Sequence, residues 1–351
     1  MHLIRSRSVA AFSRFIMLSV VIWSPPVRAQ NLPALEINPQ RIYVAGISSG
    51  AAVAIQMDVA YSKVFKGAAI YAGIPYDCAQ DSLETALTTC EEDTPAIDIA
   101  ALESDTEALA KSGVIDSTKN LKNQPIYLWS GKLDTIVAQG AMNNVDSFYD
   151  YFGANVFKYD NDFPAEHGWE SPYGPNACEQ LGSPYLIVCD QNGAVYDSEQ
   201  VFLSQWFGEL EPKNNGTLAG TLSTFDQNPY VPGGSAAAIS MDETGYLFTP
   251  AACKTAKNSC GLILALHGCE QSASAVGTDY VDDAGLNEWA DTNRIVVVYP
   301  QAIATLPNNG EGCWDWWGYT NSNYAQKNGP QMQTLFNMMK QIAGKAIPAG
   351  G

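Results

Sequence analysis

The stretch Gly46-Ile47-Ser48-Ser49-Gly50 sets a hydroxyl between two glycines in the pattern G-x-S-x-G. That pattern suits a strand that turns at once into a helix: the glycines let the backbones approach and the serine is held at the tip. A serine hydroxyl becomes a nucleophile only with a base in hydrogen-bond reach, and the base needs an acid to fix its tautomer. The histidines are His2, His167 and His267. His2 lies in a leader-like segment, so His167, in a loop beyond the last strand of the first half, is the candidate base. Asp134 follows the apolar run 125–130, with Gly131 three residues before it. A carboxylate there sits just past a strand's C-terminal edge, where open α/β sheets place their sites. Asp160 and Asp162 are alternatives for this acid. An oxyanion hole takes two N–H donors. The residue after the nucleophile, Ser49, offers one, and the run Leu266-His267-Gly268-Cys269 suits the second, although it follows the other groups in the chain.

The elements that must hold these groups are legible in outline. The order Ser48, Asp134, His167 is that of an α/β-hydrolase triad. Apolar, β-favouring runs at 42–45, 67–73, 125–130, 261–266 and 294–300 read as buried strands. The segments 49–61, 98–111, 142–152, 197–210, 286–293 and 332–345 read as helices. Strand–helix alternation at this spacing predicts a mostly parallel, doubly wound sheet. Residues 213–235, rich in Asn, Gly, Ser and Pro, read as a connection, and a hairpin is expected around Gly245. Trp314, Trp316, Trp317 and Tyr319 crowd one loop. They fit either a rigid apolar substrate wall, with His267 beside it, or a buried aromatic cluster.

Composition narrows the setting. Of 351 residues, 46% are hydrophobic and 16% charged, enough for a large core under a polar surface. Residues 1–29 have the basic start, short apolar centre and small-residue end of a secretory signal, too short to span a bilayer. The formal charge of −18 becomes about −22 without that segment, since it carries four arginines and no acids. A surface this acidic argues against nucleic acid and anionic membranes and suits a neutral substrate. The eight cysteines, an even number behind a signal, read as disulfides. Local proximity favours Cys78–Cys90, Cys178–Cys189 and Cys253–Cys260, leaving Cys269–Cys313. The absence of a C-x-x-C pair argues against zinc.

Taken together, the segment 41–50, Ala72-Gly73-Ile74-Pro75-Tyr76-Asp77-Cys78, 131–134, Glu166-His167-Gly168-Trp169, Leu266-His267-Gly268-Cys269 and Gly312-Cys313-Trp314-Asp315-Trp316 resemble the catalytic domain of extracellular poly(3-hydroxybutyrate) depolymerases. The likeness runs over most of 35–345 and is to the subtype whose serine box lies near the mature N-terminus. It implies a circularly permuted α/β-hydrolase: one catalytic domain over 30–351, with 30–212 carrying Ser, Asp and His, and 236–351 carrying the oxyanion strand and Trp loop. It implies Ser48 as nucleophile, Asp134 as acid, His167 as base, and oxyanion donors at the N–H groups of Ser49 and Cys269. The expected activity is hydrolysis of a polyester or oligoester through an acyl-enzyme, outside the cytoplasm, without cofactor, metal or obligate protein partner. The sequence ends soon after the closing helix, so adsorption is expected through the catalytic domain's own surface. A feruloyl or acetyl carbohydrate esterase with the same triad, and a non-catalytic secreted binding module, are the rival readings.

Overall fold

The computed structural model describes residues 30–255 and 257–347; the expected leader lies outside them. Eight strands build the main sheet: β1 (Glu36–Ile47), β2 (Ala68–Tyr71), β3 (Pro125–Trp129), β4 (Asn155–Asp160), β5 (Thr221–Asp226), β6 (Thr244–Thr249), β7 (Lys257–Leu266) and β8 (Ile295–Tyr299). The principal helices are α1 (Ser49–Ala60), α2 (Ile99–Ser112), α3 (Gln139–Tyr151), α4 (Ser198–Phe207), α5 (Leu286–Asn293) and α6 (Pro330–Ala343). The strand order is β5-β6-β8-β7-β1-β2-β3-β4. Pairing is parallel from β8 through to β4 and antiparallel at β5–β6 and β6–β8. Counting from β5 as the first strand gives 1-2-4-3-5-6-7-8, the α/β-hydrolase order with the chain opened before the strand that carries Ser48. The central strands β1 and β7 lie side by side, Val44 opposite Leu264 and Gly46 opposite Leu266.

Each central strand is apolar on both faces because helices cover both. Along β1, Ile42 and Val44 enter one core with α1, α3 and α6, whereas Tyr43, Ala45 and Ile47 enter the other with α4 and α5. Helix α1 is buried along its whole length. Its alanines, valines and Gly50 let it lie close to the sheet, and α6 closes over it, with Phe336 stacked on Tyr61 at 4.1 Å.

Two expectations change. The stretch 213–235 is not only a connection: it contains β5, an edge strand with four of its six residues exposed. An edge strand with one wet face has no need of an apolar run, so its sequence reads as a loop. Gly245 is not a hairpin turn. It lies inside β6 opposite Phe225, whose ring would come within 2.5 Å of a Cβ there.

Candidate active site

Strand β1 runs into α1 through Ser48, which is held at φ 57° and ψ −123°. This is a costly conformation for a residue with a side chain, of the kind that persists when the surroundings fix it. Ser48 N–H donates to the Tyr71 carbonyl at the end of β2, and its carbonyl accepts from Ala52 N–H in α1, both at 2.9 Å. Each glycine of the motif meets a backbone. A Cβ on Gly46 would lie 2.2 Å from the Gly50 carbonyl oxygen. One on Gly50 would lie 2.3 Å from the carbonyls of both Leu266 and His267 at the end of β7. The Ser48 hydroxyl makes no cap bond to its own helix and faces a cleft of about 170 Å³.

His167 lines the same cleft. The loop after β3 and the loop after β4 are stitched by N–H groups of Ser130, Lys132 and Leu133, which donate to carbonyls of Asp160, Phe163 and Ala165. Gly131 makes this close approach possible, since a Cβ there would meet the Ala165 carbonyl at 2.1 Å. Asp134 is thereby set against His167, with Oδ2 2.9 Å from Nδ1. Asp134 Oδ1 also accepts from the N–H groups of Ile136 and Val137 at 2.9 and 2.8 Å. The Glu166 carboxylate accepts from Thr135 and His167 N–H and steadies both loops. The side chains of His167 and Asp134 are 6% and 1% exposed. Burial depresses the imidazole, but the Asp134 charge and hydrogen bond, helped by Glu91 and Glu166, outweigh it and leave the pKa above its ordinary value. Of the alternative acids, Asp160 accepts from Tyr127 and Tyr196, and Asp162, 90% exposed, pairs with Lys132.

The loop after β7 completes the cleft. Gly268 packs against Ser48, with a Cβ there 3.3 Å from Ser48 Cβ. Gly268 N–H donates to Gln271 Oε1 at 2.7 Å, and Gln271 Nε2 donates to the Pro184 carbonyl, fixing the loop's path. Among the described residues, the N–H groups of Ser49 and Cys269 donate to no protein acceptor. The disulfides are Cys78–Cys90, Cys178–Cys189, Cys253–Cys260 and Cys269–Cys313; the last ties this loop to the Trp loop.

The expected substrate contacts divide. Trp316 lines a recess of about 10 Å³ beside Ser48, with Ala52, Ala72, Ile74 and Val137. Three others line neither the cleft nor the recess. His267 is fully buried: its Nδ1 donates to the Gly268 carbonyl and its Nε2 accepts from Ala302 N–H, and burial pulls its pKa down to about 4. Trp314, also fully buried, donates from Nε1 to the His267 carbonyl and from its backbone N–H to Ser49 Oγ. Trp317 packs edge-on against Trp316, 5.5 Å between centroids. His267 and Trp314 brace the loop after β7 through these bonds. Sequence reasoning missed Glu91, which lines both the cleft and the recess, as well as Glu166 and Gln271. Glu91 and Gln271 stand in no recognisable pattern, and Glu166 entered only as the neighbour of His167 in its motif.

No protein-family model matches the chain. It is 36% identical over 339 residues to a polyhydroxybutyrate depolymerase of Talaromyces funiculosus, covering 92% of this chain and 95% of that protein. This chain belongs to the poly(3-hydroxybutyrate) depolymerase family. A poly(3-hydroxybutyrate) depolymerase of Delftia acidovorans is 38% identical over 320 residues; the match covers 90% of this chain and 62% of that longer protein. The crystal structure of PHB depolymerase from Penicillium funiculosum superposes with a TM-score of 0.78 at 34% identity, covering 90% of this chain and 99% of that one. A substituted PHB depolymerase complexed with an R3HB trimer superposes at 0.79 with the same identity and coverage.

Proposed function

We propose that the protein is a secreted serine esterase that hydrolyses poly(3-hydroxybutyrate) or its oligomers. The observation that carries this reading is the meeting, at one cleft, of a strained serine elbow, an Asp134-braced His167 and two unengaged N–H donors. Family membership supplies the substrate class, and the neutral ester polymer suits an acidic surface. With Nδ1–H committed to Asp134, the free Nε2 of His167 takes the Ser48 proton as Oγ attacks the ester carbonyl. The oxyanion forms against the N–H groups of Ser49 and Cys269, and His167 then protonates the departing alkoxide. Water, deprotonated by His167, attacks the acyl carbon; the Ser48 ester bond breaks, Oγ regains its proton and a carboxylic acid is released. These steps call for no metal or cofactor. In this reading 1–29 is the leader and 30–351 is one catalytic domain, with 213–235 joining the halves of one sheet. Four disulfides support an oxidising compartment. The test is clearing of an amorphous poly(3-hydroxybutyrate) suspension by the mature protein beside Ser48→Ala. Clearing by the wild type alone supports the polymer substrate and the nucleophile together. Turnover of a soluble feruloyl or acetyl sugar ester without clearing would move the assignment to the carbohydrate-esterase reading.

A further inference from the structure

Among the described residues, Glu91 is the acid that lines both the cleft and the recess beside Ser48. It follows Cys90, whose disulfide to Cys78 folds the 78–90 loop toward the site. The Glu91 carbonyl accepts from Ala138 N–H at 2.8 Å, which ties the residue to the loop that carries Asp134. Ser48 and Glu91 are the two residues common to the cleft and the recess, so the carboxylate flanks the nucleophile. It is half-buried, and among the described residues its side chain makes no hydrogen bond. Its oxygens are not sealed from water, so the carboxylate keeps an open side at the cleft it lines and is not tied down by a structural partner. Burial, opposed by His167 and reinforced by Glu311, Glu92 and Asp134, pushes its pKa up to about 7, so it is charged in mildly alkaline solution.

The ester is neutral, but its hydrolysis creates an anion at the atom Ser48 has just released. We propose that Glu91 is a specificity-determining residue, a fixed negative charge beside Ser48 that drives out the newborn hydroxy-acid carboxylate and disfavours ester bonds within one monomer of a free carboxylate. The inference rests on the esterase reading above. Glu91 acts on the charged product and leaves a neutral internal ester unopposed, which biases the enzyme toward bonds inside a chain. It also favours the imidazolium on His167, so the informative quantity is a ratio of inhibition constants, not a rate.

The experiment measures inhibition of a chromogenic butyrate ester's turnover by 3-hydroxybutyrate and by neutral 3-hydroxybutyramide, about two pH units above the Glu91 value. In the wild type Ki for the acid exceeds Ki for the amide about tenfold, the factor for like charges roughly 6 Å apart at an effective dielectric near 40. Glu91→Gln and Glu91→Ala bring the ratio to about one, whereas Glu311→Gln at the exposed rim leaves it above about fivefold. A wild-type ratio near one overturns the inference without any variant. So does a ratio that persists in both Glu91 variants, or one that Glu311→Gln abolishes equally. A wild type that turns over no ester overturns the esterase reading and this inference with it. Turnover with a flat ratio overturns this one alone.

Discussion

Replacing Asp134 by asparagine removes one charge while keeping the shape, and the structure dictates which way the amide must turn. Asp134 Oδ1 accepts from two backbone donors, Ile136 and Val137. An amide NH2 in that position would leave both N–H groups facing donors, at about 1–3 kcal/mol each. The amide oxygen therefore takes the Oδ1 site, and the NH2 takes the Oδ2 site, 2.9 Å from His167 Nδ1. Oδ1 also lies 3.2 Å from Nδ1, but the donor at the nearer Oδ2 site turns Nδ1 into an acceptor, which puts the ring proton on Nε2, where it blocks transfer from Ser48. Loss of this tautomer costs about 10⁴ in kcat, some 5.4 kcal/mol of transition-state stabilisation. The turn that holds residue 134 survives, so melting should move by only a few degrees. A second signature comes from pH. Activity needs neutral imidazole, so the wild-type rate falls as pH drops through the raised pKa of His167. Asp134 supplies the largest of the interactions that raise it, so Asp134→Asn must move the acid limb of the residual activity to lower pH. Initial rates on a soluble short ester across pH, with circular dichroism for the fold, test both points. A loss below about tenfold, or an acid limb that stays put or rises, would refute the tautomer argument.

Two further outcomes follow from groups outside the triad. Glu170 and Glu199 are fully buried beside Trp169, which donates from Nε1 to Glu199; burial pushes Glu170 up to about 8 and Glu199 well above the carboxylate range. The native state then holds protons that the unfolded chain has released, so stability falls as pH rises from about 5 to 8, by up to ~1.4 kcal/mol per unit for each group. Glu199→Gln should flatten that slope in urea midpoints, and an unchanged slope would show that the pair is not its source. Removing Cys269–Cys313, whose partners are 44 apart in sequence, should lower stability by about 4 kcal/mol and kcat by about 10², because it frees the Cys269 N–H donor. The double serine variant of Cys253–Cys260, separated by 7, is the control: about 2.4 kcal/mol on the same model, with kcat within about twofold. Equal losses of kcat in both would sink the oxyanion-loop argument.

The parts of the site legible in sequence are those whose chemistry demands a local pattern. Ser48 was readable because an elbow needs glycines on both sides, and Asp134 because a carboxylate just past the apolar run 125–130 falls at a strand's C-terminal edge. The edge strand Thr221–Asp226 was not readable, since a strand with one solvated face carries no apolar signature. Aromatic density at 314–319 signalled a cluster, but which ring lines the recess, Trp316 and not Trp314 or Trp317, depends on which segments close over the loop. Glu91 was invisible because its place beside Ser48 is set by a disulfide loop and a backbone bond to Ala138, neither of which imposes a pattern on it. The serine box also says more than its five letters suggest. Gly50 has no room for a Cβ because the carbonyls of Leu266 and His267 occupy that space. The second glycine of the motif thus marks, from within the first half of the chain, where the end of β7 must arrive. An alanine there would push away the strand that presents Cys269, and so would damage the proposed oxyanion hole from the opposite side of the motif.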